Sequence, residues 1–465
     1  MVQAASDIQT VLSRVDDGLN DSVERLFEFV RIPSISTDSA YAGECRKAAE
    51  WLAADLRGVG FTAEVRDTPG HPMVVAHHDG PSAAAPHVLF YGHYDVQPVD
   101  PLELWDDDPF SPAVRDAPGG REITGRGTAD DKGQLMTFVE ACRAWKAVHG
   151  ELPCRVTILL EGEEESGSPS LKPFLEANAD ELKADFALVC DTCMWDGDTP
   201  AISTGLRGLL GDEVIVRAAD RDLHSGFYGG AAANPIQILS KVLAAIHDEN
   251  GAVTIPGFYD GVEETPDEIL AQWRTLSRAD SLLSDVGLSV PSGEKGRSVL
   301  ELTWARPTAE INGIVGGYTG EGFKTVIAAE ASAKISFRLV GQQDPAAIRK
   351  AFRAFVEQRI PADCSVTFKE HGAGPAIQLP YDSAVLQKAK AALSDEWPNP
   401  AVMIGMGGSI PIVGDFQSML GMDSLLVGFG LPDDRIHSPN EKYSMKSFHK
   451  GQRSWVRILS AIRDC

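Results

Sequence analysis

The chain has 465 residues, of which 43% are hydrophobic and 23% charged, and this composition excludes a disordered or fibrous protein. Its length exceeds that of one ordinary domain and predicts two. The formal net charge of −25 disfavours nucleic acid and anionic membrane surfaces as partners, because both would repel an acidic protein.

Apolar periodicity predicts the elements of the first part of the chain. Helices are predicted over residues 7–30, 44–57 and 134–148, and strands over 73–76, 88–91, 156–160, 186–190 and, much later, 425–429. Strands that alternate with helices indicate an α/β fold. We expect a mixed, mostly parallel sheet that is flanked by helices.

The middle of the chain has a different order of elements. Strands are predicted over 213–218, 299–304, 334–340 and 365–370, and helices over 235–247 and 345–358. This order is that of a ferredoxin-like α+β domain. Residues 251–297 interrupt it, include a predicted helix at 266–277, and have no assigned role. We therefore expect a catalytic metal-binding domain from residues 1–204 and 375–465, with an inserted lid or dimerisation domain at 205–374.

Residues of the types that commonly bind metals follow four of the predicted strands. They are His93 and Asp95 after 88–91, Glu163, Glu164 and Glu165 after 156–160, Asp191 after 186–190, and His437 after 425–429. Asp130 and Asp131 precede a predicted helix. Each feature alone has an ordinary explanation, such as a helix N-cap or a solvated acidic run. Together, imidazoles and carboxylates form a ligand set for borderline cations, so the spacing indicates a candidate dinuclear metal site and no more.

Six short strings resemble the motifs of one family. They are YGHYDVQP at 91–98, GRGTADDKG at 125–133, EGEEESGS at 161–168, DLHSGFYGG at 222–230, GGSIP at 407–411 and HSPNE at 437–441. In this order, they are similar to the metallopeptidases that include aminoacylase, carboxypeptidase G, succinyl-diaminopimelate desuccinylase and the carnosine and cytosolic nonspecific dipeptidases. The resemblance extends over most of the chain and is strongest to the dipeptidase branch.

The resemblance implies two divalent metal ions per subunit. Asp130 would bridge them, with His93 and Asp191 binding one ion and Glu165 and His437 the other. Zinc is the expected metal, with manganese and cobalt as alternatives.

The resemblance also implies the catalytic residues. Asp95 would orient the His93 imidazole, and Glu164 would be the general base for a water shared by the metals. His224 would stabilise the oxyanion in the partner subunit's active site, so we expect a homodimer. The peptide bond between Asp130 and Asp131 is expected to be cis.

Substrate recognition resembles that of a dipeptidase. Arg338 is expected to bind a terminal carboxylate bidentately, although an exposed strand residue or a structural ion pair is the ordinary alternative. Thr325, His371 and Ser409 correspond to substrate contacts in dipeptidase relatives. Asp191, where N-acyl-amino-acid hydrolases tend to have Glu, favours a substrate with a free amino terminus.

The leading hypothesis is hydrolysis of dipeptides or short peptides that have a free C-terminal carboxylate. The alternatives are an N-acyl-amino-acid amidohydrolase and an inactive binding relative, which the complete ligand set disfavours. Seven scattered Cys indicate a reducing compartment. With no apolar leader and no long apolar run, we expect a cytoplasmic protein whose partner is a small peptide, not a membrane or nucleic acid.

Overall fold

The computed structural model describes residues 2–276, 281–408 and 410–463. The chain forms two compact units. The first consists of Met1–Thr204, Leu379–Met403 and Asp415–Cys465, and the second of Gly205–Gln378 and Ile404–Gly414. The last of these segments therefore groups with the inserted unit, whereas the sequence analysis assigned it to the catalytic domain.

The described residues contain strands of two to ten residues and helices of four to eighteen. The strands are β1 (Thr62–Arg66), β2 (Met73–His78), β3 (His87–His93), β4 (Ala113–Ala117), β5 (Gly120–Thr124), β6 (Arg155–Glu161), β7 (Phe186–Val189), β8 (Ala201–Leu206), β9 (Gly208–Arg217), β10 (Leu223–His224), β11 (Thr308–Gly316), β12 (Val326–Ile327), β13 (Glu330–Leu339), β14 (Ser365–Gly374), β15 (Ile377–Gln378), β16 (Val402–Met406), β17 (Ser424–Leu426) and β18 (Lys442–Ser444). The α-helices are α1 (Val2–Asp17), α2 (Leu19–Val30), α3 (Ala42–Val59), α4 (Lys132–His149), α5 (Leu171–Ala177), α6 (Ala179–Leu182), α7 (Ser225–Tyr228), α8 (Pro235–Ala244), α9 (Asp267–Arg274), α10 (Val299–Trp304), α11 (Pro345–Glu357), α12 (Ala384–Ser394), α13 (Pro411–Asp415) and α14 (Met445–Ile462). Short helical turns cover Ser39–Tyr41, Leu102–Leu104, Glu164–Ser166, Ser284–Val286 and Phe416–Leu420.

The first unit is built on a mixed sheet, in the order β1-β2-β6-β3-β7-β17-β8. Strands β6, β3, β7 and β17 are parallel to one another, whereas β1, β2 and β8 pair antiparallel to their neighbours. The parallel strands are apolar because helices cover them. Phe90 of β3 stacks on Phe138 of α4, with ring centroids 3.9 Å apart, and Trp455 of α14 packs edge-on against both. The predicted α/β sheet is confirmed.

The parallel strands matter for function because their carboxyl ends lie along one edge of the sheet. β3 ends at His93, β6 ends at Glu161, and Asp191 follows β7. In open α/β sheets this edge is where ligand-binding residues gather.

The second unit contains an antiparallel sheet in the order β11-β13-β9-β14, with α8 and α11 packed against it. Alternate residues of β9 and β13 are buried, and they form a core that includes Leu210, Val214, Ile335 and Phe337. The intervening residues project from the opposite face, called here the open face, and most are half-buried. The order of elements β9-α8-β11-β13-α11-β14 confirms the predicted ferredoxin-like fold.

The prediction of a strand at 299–304 is wrong, because these residues form α10. The Ser298 hydroxyl accepts a hydrogen bond from the Glu301 amide at 3.3 Å, and the Glu301 carboxylate accepts one from the Ser298 amide at 2.8 Å. This reciprocal cap starts a helix. The strand that completes the motif is β11, which follows α10.

Two further predictions differ from the structure. The helix predicted at 7–30 is divided at Gly18 into α1 and α2, since glycine weakens a helix interior. The helix predicted at 266–277 is α9, which ends at Arg274, and Ser277 lies outside the described residues. In the described parts of the chain, no helix is both long and apolar enough to cross a bilayer.

Candidate metal centre

His93 ends β3, and its imidazole is completely buried. Its Nδ1 lies 3.1 Å from the Asp95 carbonyl oxygen and 3.4 Å from the Asp95 carboxylate. The Asp95 carboxylate also accepts hydrogen bonds from the backbone amides of Glu164 and Glu165, at 3.2 and 3.0 Å. Asp95 therefore connects the ends of β3 and β6 and leaves Nε2 of His93 facing the site.

Asp130 lies between the two imidazoles. Its Oδ1 is 3.2 Å from Nε2 of His93, and its Oδ2 is 2.9 Å from Nε2 of His437. A carboxylate whose two oxygens face different nitrogen ligands has the orientation required to bridge two cations. The peptide bond between Asp130 and Asp131 is cis, as expected.

Glu165 and His437 lie on the second side of Asp130. The Glu165 carboxylate is 3.2 Å from Nε2 of His437 and accepts a 2.7 Å hydrogen bond from the Gln97 side chain. His437 is half-exposed, and it has a φ of 59°, a left-handed conformation that is rare for a residue with a side chain. Such conformations persist where the surrounding structure enforces them and are common at functional sites.

The five expected ligands form two groups that share Asp130. The first is His93, Asp130 and Asp191, and the second is Asp130, Glu165 and His437. In each group one ligand atom per residue lies within 4.8 Å of the others. The structure therefore brings together, in one unit, side chains from five separate segments of the chain.

Burial and mutual repulsion of carboxylates dominate the electrostatics of this site. Burial raises the pKa of Asp191, and the negative charge of Asp130 raises it further. Burial likewise raises the pKa of Glu164, with Glu165 and Asp130 adding to the effect. Burial alone would lower the pKa of His93, but the carboxylates of Asp130 and Asp95 outweigh it and hold that pKa well above its usual value.

His437 shows the same excess of negative charge. Hydrogen bonds to Asp130 and Glu165 raise the pKa of His437 to about 10. Asp131 is also buried, which raises its pKa well above the usual range, and its Oδ1 has no hydrogen-bond partner among the described residues. A cluster this acidic is stabilised by cations. The oxygen and imidazole donors therefore fit two divalent metal ions.

A buried ion pair that the sequence analysis did not assign holds two ligand-bearing loops together. Glu441 accepts hydrogen bonds from the backbone amides of Gly127, Ala129 and Asp130, at 2.8–3.2 Å, and from the Arg126 guanidinium at 2.8 Å. Glu441 follows His437 by four residues, so it fixes the His437 loop to the segment that carries Asp130. The HSPNE string contains Glu441 and so pointed to this residue, but the spacing of the motifs did not identify its hydrogen-bond partners.

Glu163 also has a role that the sequence did not reveal. It is buried, and its carboxylate accepts hydrogen bonds from the amides of His71 and Ser170, both at 3.0 Å. It therefore braces the turn that presents Glu164 and Glu165.

Four of the expected oxyanion and substrate residues are described, and all four lie in the second unit. His224 and Thr325 are neighbours on the β10–β12 ribbon, where His224 pairs with Val326. Arg338 lies on the open face of the sheet, and His371 lies over Gly211 on that face, because a Cβ at Gly211 would be 2.8 Å from the His371 Cβ. Ser409 lies outside the described residues.

An α/β sheet whose strand ends gather imidazoles and carboxylates is typical of metal-assisted hydrolases. The pattern that defines Peptidase family M20/M25/M40 matches residues 89–461. The chain belongs to this family and is a hydrolase that acts on peptide bonds. The resemblance that the six strings indicated is confirmed.

Three relatives illustrate the similarity. The Cys-Gly metallodipeptidase DUG1 of Candida albicans is 30% identical over 96% of this chain and 95% of its own. The human Beta-Ala-His dipeptidase is 30% identical over 80% of this chain and 74% of its own. The crystal structure of an M20 family metallo-carboxypeptidase from Sulfolobus solfataricus is similar with a TM-score of 0.78 and 28% identity, covering 96% of this chain and 99% of that one.

Proposed function

We propose that this protein is a dinuclear metallo-dipeptidase that cleaves dipeptides or short peptides with a free C-terminal carboxylate. The observation that carries the proposal is the position of Asp130, whose two oxygens face His93 and His437. Two divalent cations, when bound, would acidify a water and polarise the substrate carbonyl. Zinc is the proposed metal, with manganese and cobalt as alternatives.

Glu164 is the proposed general base. Burial raises the pKa of its carboxyl group, which moves it toward the neutral range where a group can both accept and return a proton. It accepts the proton of the attacking water and later gives it to the departing amine. Asp95 holds the backbone of Glu164 and, through its contacts with Nδ1, the orientation of His93.

The inserted unit is the proposed lid and dimerisation domain. Its edge strand β11 exposes Ile314 (60%) and Val315 (67%), and Phe227 (83%) and Phe323 (92%) are also exposed. Exposed apolar residues on an unpaired strand edge favour association with another chain. We therefore propose a homodimer in which His224 stabilises the oxyanion in the partner subunit's active site.

The relatives support a small peptide substrate, because two are named for the dipeptides Cys-Gly and Beta-Ala-His and one is a carboxypeptidase. All such substrates have a free C-terminal carboxylate. Arg338 is the proposed carboxylate ligand, with Thr325, His371 and Ser409 as further contacts. A cytoplasmic location remains a prediction, and the six described Cys, all free thiols, agree with it.

A substrate panel tests the proposal. The purified protein, loaded with Zn²⁺ or Mn²⁺, is assayed with dipeptides, their N-acetyl derivatives and N-succinyl amino acids. We expect turnover of dipeptides and little of the acylated compounds. Turnover of only the acylated compounds would establish the amidohydrolase instead, and no turnover with either metal would favour an inactive relative.

A further inference from the structure

Arg207 and Arg338 lie close together in the inserted unit. Arg338 of β13 is paired with Leu209 of β9, and paired residues project on the same face of a sheet. Arg207 stands two residues before Leu209, so it is the diagonal neighbour of Arg338. Diagonal neighbours are within reach of each other when their side chains are long. Both arginines therefore belong to the open face.

Among the described residues, the hydrogen-bond partners of the Arg207 guanidinium are backbone oxygens. Its Nε donates to the Gly407 carbonyl at 3.3 Å, and its Nη1 donates to the Leu302 carbonyl at 3.4 Å. A Cβ at Gly407 would lie 3.0 Å from Nη2, so the guanidinium packs against the loop of the GGSIP string. Among the described residues, neither Arg207 nor Arg338 forms an ion pair with a carboxylate.

No carboxylate of the described residues forms an ion pair with either cation, and Glu310 acts on Arg207 only through its charge. Burial and, to a smaller extent, the positive charge of Arg338 lower the pKa of Arg207 to about 10, while Glu310 acts in the opposite direction. Glu310 is exposed on β11 and forms no ion pair with either arginine in the described chain. Arg207 remains charged at neutral pH, and a partly buried cation without a partner is costly. Guanidinium groups in this situation bind carboxylates well.

We propose that Arg207 is a specificity-determining residue that, together with Arg338, binds the C-terminal carboxylate of the substrate. This inference rests on the proposed peptidase function. Nη2 of Arg207, which makes no hydrogen bond to the described residues, supplies the donor. Its bonds to Gly407 and Leu302 fix the guanidinium before the substrate arrives, which lowers the entropic cost of binding.

A structural brace for the Gly407 loop is the competing explanation. The two explanations differ in their dependence on the substrate's terminus. A residue that contacts the carboxylate matters for a peptide acid and much less for the same peptide with a C-terminal amide. A structural brace affects both substrates equally.

The experiment measures kcat/KM for one dipeptide and its C-terminal amide, with wild type, Arg207→Met, Arg207→Lys and Lys334→Met. Lys334→Met is the matched control, because Lys334 is an exposed cation on the same face of β13. For Arg207→Met we expect kcat/KM on the acid to fall about 100-fold, mainly through KM, and on the amide less than about threefold. Arg207→Lys should recover part of the loss, and Lys334→Met should leave the acid-to-amide ratio unchanged.

The inference would be overturned if folded Arg207→Met had the wild-type acid-to-amide ratio of kcat/KM, whether both values fell by the same factor or neither fell. If Arg207→Met does not fold, the acid-to-amide ratio of Arg207→Lys decides, because a brace preserved by Lys would leave that ratio at the wild-type value. If wild type cleaves neither substrate, the proposed peptidase function is wrong, and the role proposed for Arg207 fails with it. If wild type cleaves both equally well, carboxylate recognition fails while peptide hydrolysis stands.

Discussion

Arg126 and Glu441, 315 positions apart in the chain, form a 2.8 Å ion pair in which both side chains are almost completely buried. Through Glu441 the pair joins the loop that carries His437 to the backbone of Asp130. The two loops that carry Asp130 and His437 are thus held together by side chains that belong to neither group of candidate ligands. Such supporting contacts commonly determine metal affinity.

Glu441→Gln should weaken metal binding. The amide is neutral and presents one acceptor oxygen where the carboxylate presents two, so the Asp130 and His437 segments lose part of their connection. We expect metal affinity to fall about 10- to 100-fold, measured by competition with a chromophoric chelator. Glu396→Gln is the control, because Glu396 is a buried carboxylate bound by Arg453 and Arg457 elsewhere in the same unit. The control should lower the melting temperature but not the affinity, and equal affinity losses in both variants would contradict the assignment.

Glu164→Gln should abolish most activity while retaining the metals. The amide cannot accept a proton, so kcat should fall by about 10² to 10⁴, the range usual for loss of a general base. Metal content is measured on the same sample by elemental analysis and should equal that of wild type. Glu164→Asp keeps a carboxylate on a shorter side chain, so its kcat should lie between those of wild type and Glu164→Gln. Wild-type kcat in Glu164→Gln would show that another group is the base.

Metal binding should release protons. Without metal, the His437 pKa of about 10 keeps its imidazole protonated at neutral pH, and the raised pKa of His93 has the same effect. An imidazole must lose its extra proton to bind a metal, so binding displaces these protons, and affinity should rise with pH. Calorimetric titration at pH 7 in buffers of different ionisation enthalpy measures the release, with about two protons expected per pair of ions, one from each imidazole. A heat of binding that is independent of the buffer would contradict the charge states.

The dimer proposal predicts that a monomer is inactive. Ile314→Lys and Val315→Glu together place charges on the exposed edge of β11, where they oppose pairing with a second chain. Sedimentation velocity should show a monomer, and its activity should fall to the level of His224→Ala. Thr62→Lys, at an exposed position of the edge strand β1 in the first unit, serves as a surface control. A fully active monomer would exclude a trans role for His224.

The sequence predicted the parallel strands well because both of their faces are buried, so the apolar runs are continuous. Residues 299–304 show the limit of that signal, since a short apolar run is compatible with either a strand or a helix. The Ser298 and Glu301 pair was the visible sign of a helix start. The edge strand β11 was missed because most of its residues are exposed and carry no apolar alternation.

The candidate ligands were identifiable from strings of sequence, but their supports were not. Glu441 and Glu163 accept hydrogen bonds from backbone amides, most of them distant in sequence. Any residue type except proline can supply such an amide, so the sequence does not show which residues are the donors. Arg207 precedes β9 as an ordinary charged residue, and only the register with Arg338 gives it significance.

The position of the metals tests the central claim most directly. Crystals of the metal-loaded protein, measured at the absorption edge of the bound metal, should show two anomalous peaks about 3.5–4 Å apart, one on each side of the Asp130 carboxylate. His93 and Asp191 should contact one peak, and Glu165 and His437 the other. A single peak, or two peaks that do not share Asp130, would contradict the account.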